Sequence, residues 1–377
     1  MVDQLELRTE TDALVKSAYY SLRDDALTKD RSRELERYLS TQIYITEESI
    51  RKGKQEKFGD LTEEMYRRRT LLKRIADGLA WIIFDYNAEA LNGCSIGHSS
   101  GFMAGKSGYE YERNVLEALY SSPNIRYAIQ CDITNILRLS DVLAITTEGQ
   151  IVPIEVKGTP SGRSHRQKRR VNEILEFLRT GVFDDAIKGM APLQSHKVPV
   201  MFEHYWDELE GLSRRALKDG MAWSVLDHCI IIQAVNTQAH IDQDSIENMI
   251  KAVNWGNATR TISSLGRHLS RDIDIMPRTR LPLTVFPLSP EIGLEYILGH
   301  LDAVIVLNKA AIVDRFRESG LECLLNENGS AIATTRGGIK FQIVDAWDKI
   351  LSELVTSYSF VGYISATAEK VDREIQS

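Results

Sequence analysis

A chain of 377 residues, 43% hydrophobic and 26% charged, has ordinary globular composition and enough material for two or three domains. Its formal net charge of -7 excludes a protein that coats nucleic acid over its whole surface, so any such affinity must come from a local basic patch. The four cysteines, Cys94, Cys131, Cys229 and Cys323, are too scattered for a disulfide framework or a zinc knuckle, and no run approaches the length of a membrane span.

Residues 1 to about 93 read as helical. The N-terminus, Met-Val-Asp-Gln-Leu-Glu, lacks signal-peptide character, and a reducing cytoplasm is the expected location. Thr11 to Leu22 and Asp30 to Leu39 mix polar and apolar residues. Asp60 is a good N-cap for a long segment through Tyr86, in which Met65, Leu72, Ile75, Leu79, Ile82 and Ile83 recur at helical spacing. Arg67-Arg68-Arg69 with Lys73 and Arg74 reads first as a solvated or partner-docking face, with nucleic-acid contact as the other reading.

Asn92 to Gly108 is rich in glycine and serine and contains Gly101-Phe-Met-Ala-Gly105-Lys106-Ser107. It is no Walker A loop: Ser100 stands where the first glycine is required, no apolar strand precedes it, and no strand ending in aspartate follows. A linker, or a loop closing over a cleft, is expected. Gly108 to Leu119 then reads as a helix with Glu112 on the same stripe as Val115, Leu116 and Leu119. Arg126 to Ile133 reads as a strand.

Leu139 to Lys157 is two apolar strands around a short turn, with Asp141, Glu155 and Lys157 planted among the apolar residues. A buried charge is costly unless it is paired or holds a metal, so these three need a reason. If Thr147-Glu148-Gly149 is a three-residue loop with Gly149 left-handed, Thr146 pairs with Gln150 and Asp141 lies opposite Glu155. Lys157 then shares their face, and Val142, Ala144, Val152, Ile154 and Val156 point into a core. A two-residue loop would instead turn Asp141 away. Two carboxylates and an ammonium at one spot suit phosphodiester hydrolysis: the carboxylates hold a divalent cation, and the lysine orients a water or stabilises the transition state.

These residues resemble the motif of the PD-(D/E)xK superfamily of restriction-endonuclease-like nucleases, with Asp141 as the first acid and Glu155-Val156-Lys157 as the Glu-x-Lys tripeptide. Ser140 replaces the proline of the superfamily's name. The resemblance implies a metal site at Asp141 and Glu155, taking Mg2+ with Mn2+ as a substitute, and catalytic roles for Lys157 and, from the first core helix, Glu112. It also implies a core ordered helix, three strands, helix, strand. Downstream, a loop from Gly158 to Ser164 leads into an amphipathic helix with Val171, Ile174, Leu175 and Leu178 as its stripe. Gln167 matches a supporting position at its start, and Arg163, Arg166, Lys168, Arg169 and Arg170 are candidates for contacting a nucleic-acid backbone.

Asp227 to Val235 is expected to be the closing strand, with Phe202 to Gly220 an insertion in which Tyr205 and Trp206 pack on the core or stack on bases. Ile241 to Val253 reads as a helix; Leu281 to Leu288 and Asp302 to Leu307 as strands; Lys309 to Ser319 as a helix. Leu321 to Thr335 reads as a hairpin, Ile339 to Ile343 as a strand, and a last helix starts near Ala346.

The expected class is α/β, a restriction-endonuclease-like mixed central sheet flanked by helices, with a helical N-terminal region (1–104), a nuclease core (105–240) and an additional C-terminal α/β region (241–377). The expected function is Mg-dependent endonuclease cleavage, of DNA ahead of RNA, as the effector of a prokaryotic anti-phage defence or restriction system. The alternative is a non-catalytic or quiescent nuclease-fold subunit that binds nucleic acid and docks a helicase/ATPase or other defence-system partner. No membrane partner is expected; a homo-oligomer is compatible with the sequence.

Overall fold

The computed structural model describes residues 4–24, 27–56, 59–95, 101–106, 108–156, 182–183, 193–194, 202–239, 248, 251, 253, 255, 260–265, 281–326, 331–338, 340–343 and 347–376. The chain forms two compact units, Met1–Gln194 with Asp274–Val285, and Ser195–Ile273 with Phe286–Ser377. The helical region expected over 1–104 therefore shares a unit with the strands of the proposed motif, and residue 240 falls inside the second unit. Helices and sheets are mixed in the chain. Every strand pairing among the described residues is antiparallel, in four small sheets in place of the one mixed central sheet expected.

The first unit begins with three helices, α1 (Gln4–Leu22), α2 (Lys29–Glu56) and α3 (Gly59–Ile83), with α3 packed on both others. Leu72, Ile75 and Leu79 of the expected stripe are fully buried, while Tyr86 lies beyond the helix and is exposed. The basic run on α3 is neither a solvated nor a docking face. Arg67 pairs with Asp12 at 2.8 Å and Glu64 at 2.9 Å, and Arg69 with Glu47 at 2.6 Å. Arg68 donates to the Thr11 hydroxyl at 3.0 Å. A helix covered by two neighbours can keep cations only where those neighbours supply acceptors. Leu283–Val285, expected within a strand, is instead a 3-10 turn. From it Thr284 donates to the Arg74 carbonyl at 3.3 Å and fills the space beside Gly78, where a Cβ would come within 2.4 Å of its hydroxyl.

After α4 (Ala88–Ser95) and α5 (Tyr109–Ser121), strands β1 (Ile125–Gln130), β2 (Val142–Thr146) and β3 (Ile151–Ile154) form a meander in that order. Helix α5 covers one face: Leu116 and Tyr120 pack with Ile125, Ala128, Val142 and Ala144, joined by Ile154 and Val156. Val152, expected in that core, is 38% exposed because β3 ends the described sheet. Pro153, which has no N–H to donate, suits such an edge. At the other edge, the Tyr120 hydroxyl donates to the Ala128 carbonyl and the Gln130 N–H donates to Glu36 of α2. The two-residue strands β4 (Val182–Phe183) and β5 (Leu193–Gln194) pair with each other.

The second unit contains α6 (Trp206–Asp219), β6 (Met221–Leu226), β7 (Ile230–Asn236), β8 (Arg260–Ser264), α7 (Pro290–Leu298) and β9 (Leu301–Asn308). Then come α8 (Lys309–Glu318), β10 (Glu322–Leu325), β11 (Ala331–Thr334), β12 (Lys340–Ile343), α9 (Trp347–Glu353) and α10 (Ser357–Gln376). Its main sheet runs β6-β7-β9-β8, with β10-β11-β12 as a second. The strand expected to close the nuclease sheet is β7, and it pairs with β6 and β9 instead. A run of buried isoleucines tells that both faces of a strand are covered, not which sheet covers them.

Asp227 and His228, with φ of 51° and 58°, turn the β6–β7 hairpin. The hydroxyls of Tyr205 and Ser357 both donate to the Asp227 carboxylate. Tyr205 is thus buried in a structural network, and the partly buried Trp206 packs on Phe286 with ring centroids 4.3 Å apart, in line with the core-packing reading. The single helix expected from Ala346 is two helices, parted at Leu354 with φ of 55°. The helix expected over Ile241 to Val253 lies largely outside the described residues.

Candidate active site

The hairpin has the three-residue loop that brings Asp141 and Glu155 together. Gly149 is left-handed with φ of 78°, its N–H donates to the Thr146 carbonyl at 3.0 Å, and Thr146 N–H donates to the Gln150 carbonyl at 3.0 Å. Val142 pairs with Ile154 and Ile145 with Ile151, which sets Asp141 opposite Glu155. Two backbone contacts fix Asp141: the Val156 N–H donates to its Oδ2 at 2.7 Å, and its own carbonyl accepts the Cys131 N–H at 2.9 Å. A hydrogen bond joins the carboxyl groups of Asp141 and Glu155.

Glu112 reaches the same region from the first turn of α5 and is 5% exposed. The Gln130 side-chain Nε2 donates to it, and the Gln130 side-chain Oε1 accepts from the Ser40 hydroxyl at 2.9 Å, so α2, β1 and α5 are pinned through one buried glutamine. Burial raises the pKa of Glu112, the Gln130 bond opposes this, and the charges of Asp132 and Asp141 push it further up. Burial likewise raises Asp141, against the Val156 N–H, with Asp132 adding to the rise.

Two residues not anticipated for the site complete this cluster. Asp132 lies in a 3-10 turn, Cys131–Ile133, directly after β1, and Lys106 pairs with its carboxylate. Burial works against the Lys106 charge, but Asp132, Glu112 and Asp141 outweigh it and hold the ammonium above its ordinary pKa. The turn carrying Asp132 is tied to α3. Asp77 accepts the Asn135 N–H at 2.7 Å and its side-chain amide at 2.8 Å, while Lys73, 2% exposed, reaches the Thr134 carbonyl at 3.4 Å. Burial raises Asp77 to about 6 and lowers Lys73 to about 8.

The segment Gly101 to Lys106 is a strap laid on the helices. Glu47, fully buried, accepts the N–H groups of Met103 at 2.6 Å and Ala104 at 3.1 Å. Arg51 donates to the Ala104 carbonyl at 3.2 Å, and Arg69 lies 4.7 Å from the Phe102 ring centroid. Gly105 has φ of 84°, and a Cβ there would meet Arg51 Nη1 at 1.9 Å. A carboxylate thus takes the amides that a phosphate-binding loop would offer an anion, a second reason against a nucleotide site.

Lys157, Gln167, Arg163, Arg166, Lys168, Arg169 and Arg170 lie outside the described residues, as does the amphipathic helix expected to begin among them. Among the described residues no group of three or more His, Cys, Asp or Glu could hold a metal by itself. Asp141 and Glu155 are a pair, and a pair fits magnesium, which keeps several waters and takes only one or two protein carboxylates. A cation between two neighbouring carboxylates stabilises both. The position of Lys106 immediately before α5 and of Asp132 at a strand end were readable signals; that they meet depends on the course of the strap. No helix among the described residues is long and apolar enough to cross a membrane. The chain matches no protein-family model, no curated protein and no solved structure.

Proposed function

We propose that this chain is a divalent-metal-dependent nuclease hydrolysing phosphodiester bonds, in DNA ahead of RNA, with Asp141 and Glu155 as metal ligands. The observation that supports this reading above all is the hairpin register, which sets the two carboxyl groups side by side at the end of a strand pair. Magnesium bound there, with the Val156 carbonyl as a further ligand and manganese as a substitute, would supply Lewis-acid activation and a water made nucleophilic at neutral pH. Glu112 supports the site from α5, in an orientation fixed by Gln130.

The remaining roles rest on the resemblance to the PD-(D/E)xK nucleases and on spacing. Lys157, two residues beyond Glu155, orients the attacking water or offsets charge on the phosphate. Gln167 supports the site, and the basic residues from Arg163 to Arg170 contact backbone phosphates. A role as effector of a prokaryotic defence or restriction system, with a helicase or ATPase partner, is part of the same proposal by analogy.

The test is cleavage of plasmid, single-stranded DNA and structured RNA in Mg2+ or Mn2+, comparing wild type with Glu155→Ala. Wild type is expected to cut, and the variant to lose more than roughly a hundredfold in rate while staying folded, since loss even of an outer partner of a metal ligand costs 10- to 100-fold. Metal-dependent cutting that survives in the variant sinks the assignment. Metal binding with no cleavage of any substrate favours a quiescent docking subunit.

A further inference from the structure

The strap from Gly101 to Lys106 ends on the carboxylates. Its course is set by other groups, the buried Glu47 accepting two backbone N–H groups and Arg51 donating to the Ala104 carbonyl. The Lys106 N–H donates to the Met103 carbonyl at 3.0 Å, closing a turn around the left-handed Gly105. The backbone of Lys106 is therefore fixed independently of the acids, and its side chain crosses to pair with Asp132. Asp132 is itself fixed independently, through the Asn135 and Thr134 contacts to α3. Two rigid supports, one for the cation and one for its first partner, converge where Glu112 and Asp141 also act on the ammonium.

Carboxylates gathered on a half-buried surface repel one another unless a cation lies among them. Lys106 meets that need with one charge; among the charges that act most strongly on each, the buried Lys73 of α3 shares only Asp132 with it, not Glu112 or Asp141. A divalent ion at Asp141 and Glu155 would meet it with two, and at such range the two cations repel. We propose that Lys106 is a further positioning residue of this site: it is the built-in counter-ion that holds the metal-free carboxylates together, and a divalent ion binds against its charge. This rests on the reading of Asp141 and Glu155 as a metal site.

The test is calorimetric titration of the full chain with Mn2+, which needs no substrate and no turnover. Lys106→Met is expected to bind Mn2+ about three- to tenfold more tightly than wild type, and Lys106→Arg, which keeps the charge, to stay within about twofold of it. Without metal, Lys106→Met should melt below wild type and gain more from added Mn2+. If Lys106→Met does not fold, Lys106→Gln, which keeps a donor for Asp132, takes its place with the same expected tightening. Equal affinity in the wild type and the charge-removing variant overturns the counter-ion role and leaves the metal site standing. Absence of Mn2+ binding in every form overturns the metal site, and the inference with it.

Discussion

Glu36 and Glu47 are two buried glutamates on one helix with opposite circumstances. Glu47 is met by Arg69 and two backbone N–H groups. Glu36 is 4% exposed, accepts the Gln130 N–H, and has one carboxyl oxygen with no hydrogen-bond partner. Burial pushes its pKa from 4.5 to about 7. A carboxyl that holds its proton more tightly when folded contributes stability that is complete below the unfolded value and is lost as pH rises through the folded one. Glu36→Gln keeps an acceptor for Gln130 but cannot ionise. The variant is therefore expected to be more stable than wild type by about 3 kcal/mol at pH 8, with the difference nearly gone at pH 4.5, in urea unfolding followed at both pH values. Asp77, raised to about 6, titrates alike in both proteins and cancels. A constant difference across this range would show that Glu36 is not the titrating group. Glu112 was legible from its place on an apolar stripe, but the role of Glu47 and the meeting of Lys106 with Asp132 were not. The Glu47 contact with Met103 spans 56 positions of sequence, and no local pattern records such a meeting.

At the scale of elements, the β2–β3 hairpin was the most legible part of the chain because local chemistry alone determines it. A glycine at the third loop position and period-2 alternation on both sides favour one register, in which Val142, Ala144 and Ile154 share the face that α5 covers. Gly149→Ala tests whether the loop sets that register: with φ of 78° and open space around the position, the substitution meets conformational strain and no clash. A loss of about 1 kcal/mol in chemical unfolding is expected, and a smaller loss for Gly149→Asn. No loss in either would mean that Gly149 is not held left-handed. The basic run on α3 was misread for the converse reason. Charge patterning along one helix cannot show that Asp12 of α1 and Glu47 of α2 lie against it.

At the scale of the whole molecule, the sequence told that a strand lies within Asp227 to Val235 and did not tell its partners, because β9 lies some 70 residues further on. A fragment ending at residue 240, the boundary expected from the motif, keeps β7 and removes β9. The fragment would leave Ile230, Ile231 and Ile232, all fully buried in the intact chain, beside an open sheet edge. It is expected to aggregate, whereas the chain to 377 elutes as a discrete species in size-exclusion chromatography. A monodisperse 1–240 fragment would show that β7 finds its cover elsewhere.

The turn at Thr284 sets a schedule for synthesis. Thr284 is bound to Arg74, 210 positions earlier, and occupies the space beside Gly78 on α3. As the chain leaves the ribosome, the three helices, the strap and the meander can all assemble while that flank of α3 still faces water. Only after the first segment of the second unit, Ser195–Ile273, has emerged does Thr284 arrive to cover it. The unit carrying the candidate site thus waits on a later segment for its last piece, so that unit closes only after the first segment of the other unit has been made.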